Sequence, residues 1–297
     1  MQQATDASHS PAPQLAAPVA ESSVRRTVLL FIVIIIVALL GVFASRFSVS
    51  PRGAASPALL VATQPALAIA AALAAMIVAL LIALTLAKPI NAVVSLFALG
   101  CAFAAYAMQT GTIADFVFLN TNMKLAAVET IAWSVFIAIA AMIAFRVGGA
   151  LVDVPAHNRD GTFTGEIFHK RALMSLLAGV VSIPVLIFTM IGASKGQAIG
   201  ACVIAGVITS VIGRLIAPRA QPILLFAMPA LAIGVAQLAL AFATTISPDI
   251  AFVNATLSPI RVPMPMDIAA GSLIGVAIGL GWSKGLVKHE PSSLHDE

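Results

Sequence analysis

Charge is scarce in this chain. Asp, Glu, Lys and Arg make up 9% of the 297 residues, against about 25% in ordinary soluble domains. The apolar classes reach 60%, where roughly 45–50% is usual. Too few polar side chains remain to solvate a globular surface, so the composition specifies a polytopic, all-α membrane protein.

Cysteine is nearly absent too. Cys101 and Cys202 are the two present, each within an apolar run, where a thiol packs as a small apolar group; two residues supply no disulfide framework. The chain contains no H-E-x-x-H, no G-x-S-x-G, no P-loop and no dinucleotide fingerprint, which argues against an enzyme. The five histidines fall outside the apolar runs, and His157 and His169 share a polar segment with Asp153, Asp160 and Glu166 at no metal-ligating spacing. No cofactor or metal is expected.

The most telling absence lies in the middles of the apolar runs, which hold no Asp, Glu, Lys, Arg or His. An intramembrane charge marks ion and proton pathways, so proton relays, midplane ion pairs and voltage-sensing arginines are excluded. Arg214, close to the end of its run, is expected to snorkel to water.

What is present organises into about eight spans of the length a bilayer requires: Thr27–Ala44, Pro65–Ala87, Ile90–Met108, Ala126–Val147, Ala172–Ala193, Gln197–Ala217, Gln221–Thr245 and Met266–Trp282. Lys88-Pro89 divides the second from the third, with Pro89 suited to a first helical turn. Pro184 and Pro229 fall inside the fifth and seventh and are expected to kink them. Arg25-Arg26 before Val28–Leu40 has the outline of a signal peptide, but the long run and the seven further spans favour a retained first helix.

The net charge of +4 implies no nucleic acid, because its distribution follows the membrane. With residues 1–26 in the cytoplasm, eleven of the sixteen basic residues lie on that side: Arg25, Arg26, Lys88, Arg146, Arg159, Lys170, Arg171, Arg214, Arg219, Lys284 and Lys288. The positive-inside rule therefore predicts an inner (plasma) membrane protein with both termini cytoplasmic. Arg46, Arg52, Lys124, Lys195 and Arg261 remain outside.

A repeat underlies the order of spans. Asp115-Phe-Val-Phe-Leu-Asn120 follows the third span and Asp249-Ile-Ala-Phe-Val-Asn254 the seventh, the same D-x-x-F-x-N pattern. Lys124 is echoed by Arg261 and Glu129 by Asp267. An even number of spans per copy makes the halves parallel, related by a pseudo-twofold axis along the membrane normal. The expected organisation is a disordered tail 1–26, repeats at 27–147 and 172–284, a polar linker 148–171 and a second tail 285–297.

Two groups of residues could carry function. Gly271, Gly275 and Gly279 form overlapping G-x-x-x-G spacings in the last span, with Ser134 and Ala138 in the matching places of the fourth. Such small faces let helix backbones approach closely, within the chain or against a homo-oligomeric or other membrane partner. On the outer face, Asp115, Asn120, Lys124, Glu129, Asp249, Asn254, Arg261 and Asp267 could form an oxygen-rich mouth that selects a cation or small polar solute. The plainer reading of D-x-x-F-x-N is start, anchor and stop of a short interfacial helix, with Asp as cap and Asn ending it in a left-handed conformation. Glu129 and Asp267 would meet the positive ends of their helix dipoles. The leading functional expectation is a permease that gives a small solute or ion facilitated passage between the halves. The alternative is a non-catalytic scaffold or accessory subunit holding partners through its small-residue faces.

Overall fold

The computed structural model describes residues 17–119, 122–151, 174, 176–218 and 220–283. Asn120, Arg219, both histidines of the polar segment and most of the expected linker and tails lie outside them. The chain is all-helical: α1 Ala17–Ser45, α2 Pro65–Ala83, α3 Ala92–Gln109, α4 Ile113–Phe118, α5 Met123–Gly148, α6 Ser182–Thr189, α7 Lys195–Ile216, α8 Met228–Ala243, α9 Pro248–Val253 and α10 Pro265–Ser283. Among the described residues, six helical segments are long and apolar enough to cross a membrane: Ser23–Ser45, Pro65–Leu86, Ala92–Gln109, Met123–Gly148, Lys195–Ile216 and Pro265–Ser283. This suits an integral, multi-pass membrane protein. The expected fifth and seventh spans are the shorter apolar helices Leu177–Thr189 and Met228–Ala243.

Proline stands near the start of both. Pro184 and Pro229 stand in the first turns of α6 and α8, where their missing N–H groups have no intrahelical acceptor. Each helix is preceded by a 3-10 turn, Leu177–Val181 and Leu224–Phe226. Pro229 thus stands at the start of α8, whereas Pro184 sits where a run already helical at Met174 and Leu176 changes from 3-10 to α. The described 13-residue segment Leu177–Thr189 rises about 22 Å; residues 172, 173 and 175 of the expected fifth span lie outside the described residues.

Elsewhere local chemistry sets the ends. Asn91 caps α3 by accepting from the Val94 N–H at 2.8 Å, and Asn122 caps α5 by accepting from the Lys124 N–H at 3.0 Å. Pro89 thus lies in the turn ahead of the cap and not in the helix. In α2, Ala68, Ala72, Met76, Ala79 and Ala83 recur at spacings of four and three and are buried, the pattern of a helix with one packed face. In α1, Val33 and Val37 are buried while Phe31, Ile35 and Leu39 are exposed, an apolar surface that suits lipid.

Helix α10 runs through the centre, buried on nearly every side, against α3, α5, α7 and α8. Glycine makes the closest of these contacts. A Cβ at Gly271 would fall 2.2 Å from the Cys202 Cβ, and one at Gly275 would fall 2.2 Å from the Val203 carbonyl of α7. A Cβ at Gly279 would meet the Val207 carbonyl at 2.6 Å. On α5, Ser134 is buried and turned back on the Ile131 carbonyl, and Ala138 packs partly buried against the core. Cys101 and Cys202 are free thiols.

Between residues 17–148 and 177–283, helix α3 packs on α10 and α8 packs on α5. Gly100 of α3 lies against Leu273 and Ile274 of α10, and Gly234 of α8 lies against Thr130 and Ile131 of α5. The two glycines are separated by the same interval as Asp115 and Asp249.

Candidate functional site

The chain passes α4, the start of α5, the start of α7, α9 and the start of α10 at one end of the bundle. Most of the buried polar groups collect there.

The two D-x-x-F-x-N segments form α4 and α9, six residues each. Asp115 works as a cap: the Thr112 N–H donates to its carboxylate at 2.7 Å and the Thr112 hydroxyl at 3.1 Å. Asp249 receives the Ser247 hydroxyl, a bond that holds this carboxyl below its usual range. The segments meet through their shared aromatic: the Phe118 and Phe252 rings stand edge to face, 5.9 Å between centroids. A double-mutant cycle of Phe118→Leu and Phe252→Leu should give a coupling of about 0.5–1.5 kcal/mol in thermal unfolding. Strict additivity of the two changes would mean that the rings pack independently.

The stop differs from expectation. Asn254 has φ −82 and ψ 5, and the left-handed residue is Ala255, at φ +53. The Thr256 N–H donates to the Ala251 carbonyl at 2.8 Å and the Ala255 N–H to the Phe252 carbonyl at 3.1 Å. These two bonds define a Schellman ending with alanine where glycine is usual.

Asp267 stands in the first turn of α10, as expected, whereas Glu129 lies beyond the first turn of α5, and neither is solvated. Asp267, 1% exposed, forms a salt bridge of 2.9 Å with Lys195 at the start of α7. It also accepts from the Met264 N–H at 2.9 Å. Lys195, itself 12% exposed, donates further to the Gly111 carbonyl at 3.0 Å. One buried ion pair thus joins α7, α10 and the α3–α4 connection. Glu129, 4% exposed, accepts from the Leu60 N–H at 3.1 Å. No basic side chain among the described residues pairs with it, and its second oxygen has no hydrogen-bond partner. The Tyr106 and Ser48 hydroxyls, both buried, lie beside one another in the same region.

The remaining residues of the expected mouth separate. Lys124 sits over the Phe242 ring, 3.9 Å from its centroid. Arg261 is buried and donates to the Leu240 carbonyl and the Thr244 hydroxyl. Asn254 is exposed. Gln237 donates to the Ile260 carbonyl at 2.9 Å and the Pro263 carbonyl at 3.1 Å while accepting from the Thr130 hydroxyl, tying α8 to α5 and to the entry of α10. The acids and bases of the expected mouth therefore occupy distinct environments: a capped rim, a buried pair and a buried arginine.

Sequence reasoning missed Lys195, Tyr106, Ser48 and Gln237. Gln237 carried a usable signal, as a side-chain amide inside an apolar run. Lys195 read as a turn residue between runs and gave no hint of its partner. At the opposite end, Arg214 does not snorkel: it is 3% exposed and its guanidinium donates to the Pro218 carbonyl. It borders a cavity of about 140 Å³ with Asn91, Leu151, Ala277 and Gly281. Comparison with protein-family models, curated proteins and solved structures returned no match for this chain.

Proposed function

We propose that the chain is a permease of the inner membrane, with both termini cytoplasmic, built from two parallel four-helix halves that pass a small solute or ion between them. Duplication is supported by the reciprocal packing of α3 on α10 and α8 on α5, with Gly100 and Gly234 at the two contacts. It is supported also by the meeting of Phe118 with Phe252 at equivalent places in α4 and α9.

The observation that carries the reading is the buried Lys195–Asp267 pair. Removing two charges from water is costly, and this chain has few charges. The pair fastens the first half, through Gly111, to two helices of the second. It is the contact that must release for the halves to part at this end. At the other end, a cavity lies between the starts of the two halves' inner connections, and the α7–α10 glycine contact separates it from the ion pair. Smooth, side-chain-free surfaces of that kind suit the small sliding movements of packed helices. Asp115 and Asp249 would sit at the rim and raise the local concentration of cationic or polar solutes. Because Gly271, Gly275 and Gly279 are turned to α7, a scaffold would need another face for its partners.

The test is flux in proteoliposomes across a panel of small neutral and cationic solutes. Lys195→Met combined with Asp267→Leu removes the fastening without stranding a charge and should raise flux of the transported solute several-fold. Asp115→Asn with Asp249→Asn should lower it while assembly is retained. Flux at the protein-free level for every solute, in the native chain and in the unfastened variant, would overturn the proposal.

A further inference from the structure

A cavity of about 320 Å³ opens at the α4/α9 end, between the start of α5 and the connection from α8 to α9. Asn122, Met123, Thr244, Thr245, Ser247 and Arg261 are among its lining residues. Arg261 is 4% exposed, and its Nε has no hydrogen-bond partner. The bonds it does make go to a carbonyl and a hydroxyl, both neutral. No carboxylate among the described residues pairs with it. A buried cation without a counter-charge is costly, and here it borders a space large enough for a small anion.

Part of the remaining lining can donate as well. Asn122 Oδ1 is occupied by the Lys124 N–H, so its amide NH2 remains to face a guest. Of the first N–H groups of α5, a helix of 26 residues, those of Lys124 and Leu125 are taken by Asn122; the Met123 N–H is left, on a residue that lines the cavity at the positive end of the helix dipole. The Thr245 hydroxyl and the backbone N–H groups of Thr245 and Ile246 make no hydrogen bond within the described residues. Two hydroxyls are committed elsewhere: Ser247 to Asp249 and Thr244 to the Leu240 carbonyl. Neither counts as a donor to the cavity.

We propose that this cavity binds a phosphate-type oxyanion, with Arg261 as the counter-charge and Asn122, Thr245 and the α5 N-terminus as neutral donors. The site stands whether or not the chain is a permease. Its surroundings admit two sources. Exposed Phe242 and Ile246 beside the opening would suit the acyl region of a phospholipid whose headgroup phosphate enters the cavity. Inorganic phosphate from the aqueous side has the same chemistry without the chains.

The purified full chain is the material for the test, with inorganic phosphate, short-chain phosphatidylglycerol and short-chain phosphatidylcholine as probes in separate titrations. Thr245→Asp places a negative charge at an exposed edge of the cavity without breaking any bond made by Arg261. It should weaken anion binding about tenfold or more with the thermal midpoint unchanged. Arg261→Gln should abolish binding, and Arg261→Lys should restore part of it. Binding of phosphate and phosphatidylglycerol, both sensitive to Thr245→Asp, supports a soluble oxyanion as sufficient. Binding of phosphatidylglycerol alone, with the same sensitivity, supports the lipid headgroup. No preference for phosphatidylglycerol over phosphatidylcholine together with no phosphate binding, or binding indifferent to Thr245→Asp and Arg261→Gln, overturns the proposal.

Discussion

Lys195→Met should cost about 3–5 kcal/mol, the range for breaking a buried ion pair by removing one partner. Asp267 is the reason. It is 1% exposed, and after the change the Met264 N–H at 2.9 Å would be its sole remaining donor among the described residues. Asp267→Asn should cost clearly less. The lysine left behind is 12% exposed and keeps the Gly111 carbonyl, so it can turn toward water. Combining Lys195→Met with Asp267→Leu removes both charges and should recover most of the loss, because apolar replacements of a whole buried pair are commonly neutral or stabilising. Thermal unfolding of the four proteins in one detergent measures this. Equal, sub-kilocalorie effects of both single changes would show that the pair is solvated and carries no structural weight.

Gly275→Ala should be nearly as damaging. The added methyl would sit 2.2 Å from the Val203 carbonyl and 2.9 Å from the Gly206 Cα, and both are backbone atoms of α7 that no rotamer change can move. The helices must separate, which forfeits contacts along the whole α7–α10 seam. A loss of about 2–3 kcal/mol is expected, at the upper end for inserting a methyl into a packed interior. Gly281→Ala is the control on the same helix. Nothing lies within 4 Å of its Cβ position, so alanine should be neutral or gain up to about 1 kcal/mol from helix propensity. If the two alanines behave alike in thermal unfolding, the close approach of α7 and α10 is absent in solution.

The same seam shows where reading a sequence works. G-x-x-x-G at Gly271, Gly275 and Gly279 announces a face for close packing, since the spacing puts all three on one side of a helix. Which helix covers it is a matter of three dimensions. Ser134 and Ala138 occupy the matching positions of α5, yet the glycine nearest α5 is Gly234 of α8, set against Thr130 and Ile131. The small face alone could not distinguish an internal contact from an oligomeric one.

Helix ends show a similar division. Asp115 as a cap was legible because a capping box is a local bond over three residues. The ending of α9 was not. The left-handed position fell one residue beyond Asn254, on Ala255, a choice made by the bonds from Ala255 and Thr256 back to Phe252 and Ala251. Pro184 and Pro229 were visible as helix interruptions, but an apolar run does not reveal whether the helix bends through a proline or begins at it. Helix α8 begins at its proline, whereas Pro184 marks a change from 3-10 to α within a run already helical at Met174.

The outer-face charges were the least legible part of the candidate site. Their number is plain in the sequence, yet Asp115 serves a cap, Asp267 pairs with Lys195 and Arg261 bonds a pair of neutral oxygens. Charge type is written in the residue, whereas solvation depends on every element packed around it.

By itself, then, the sequence determined that this chain is helical and suited to a bilayer. A solvent without hydrogen bonds forces the backbone to satisfy itself within each apolar segment, and that requirement is local. It also indicated the short helices of D-x-x-F-x-N, though Thr112 is the N-cap with Asp115 three residues on, and the left-handed ending falls on Ala255. The tertiary structure alone decided that Phe118 meets Phe252, that Lys195 reaches Asp267 and Gly111, and that Arg261 borders a cavity with no carboxylate partner among the described residues. Those outcomes depend on how helices far apart in the chain stack against one another, and close packing of large and small side chains, not hydropathy, sets that arrangement.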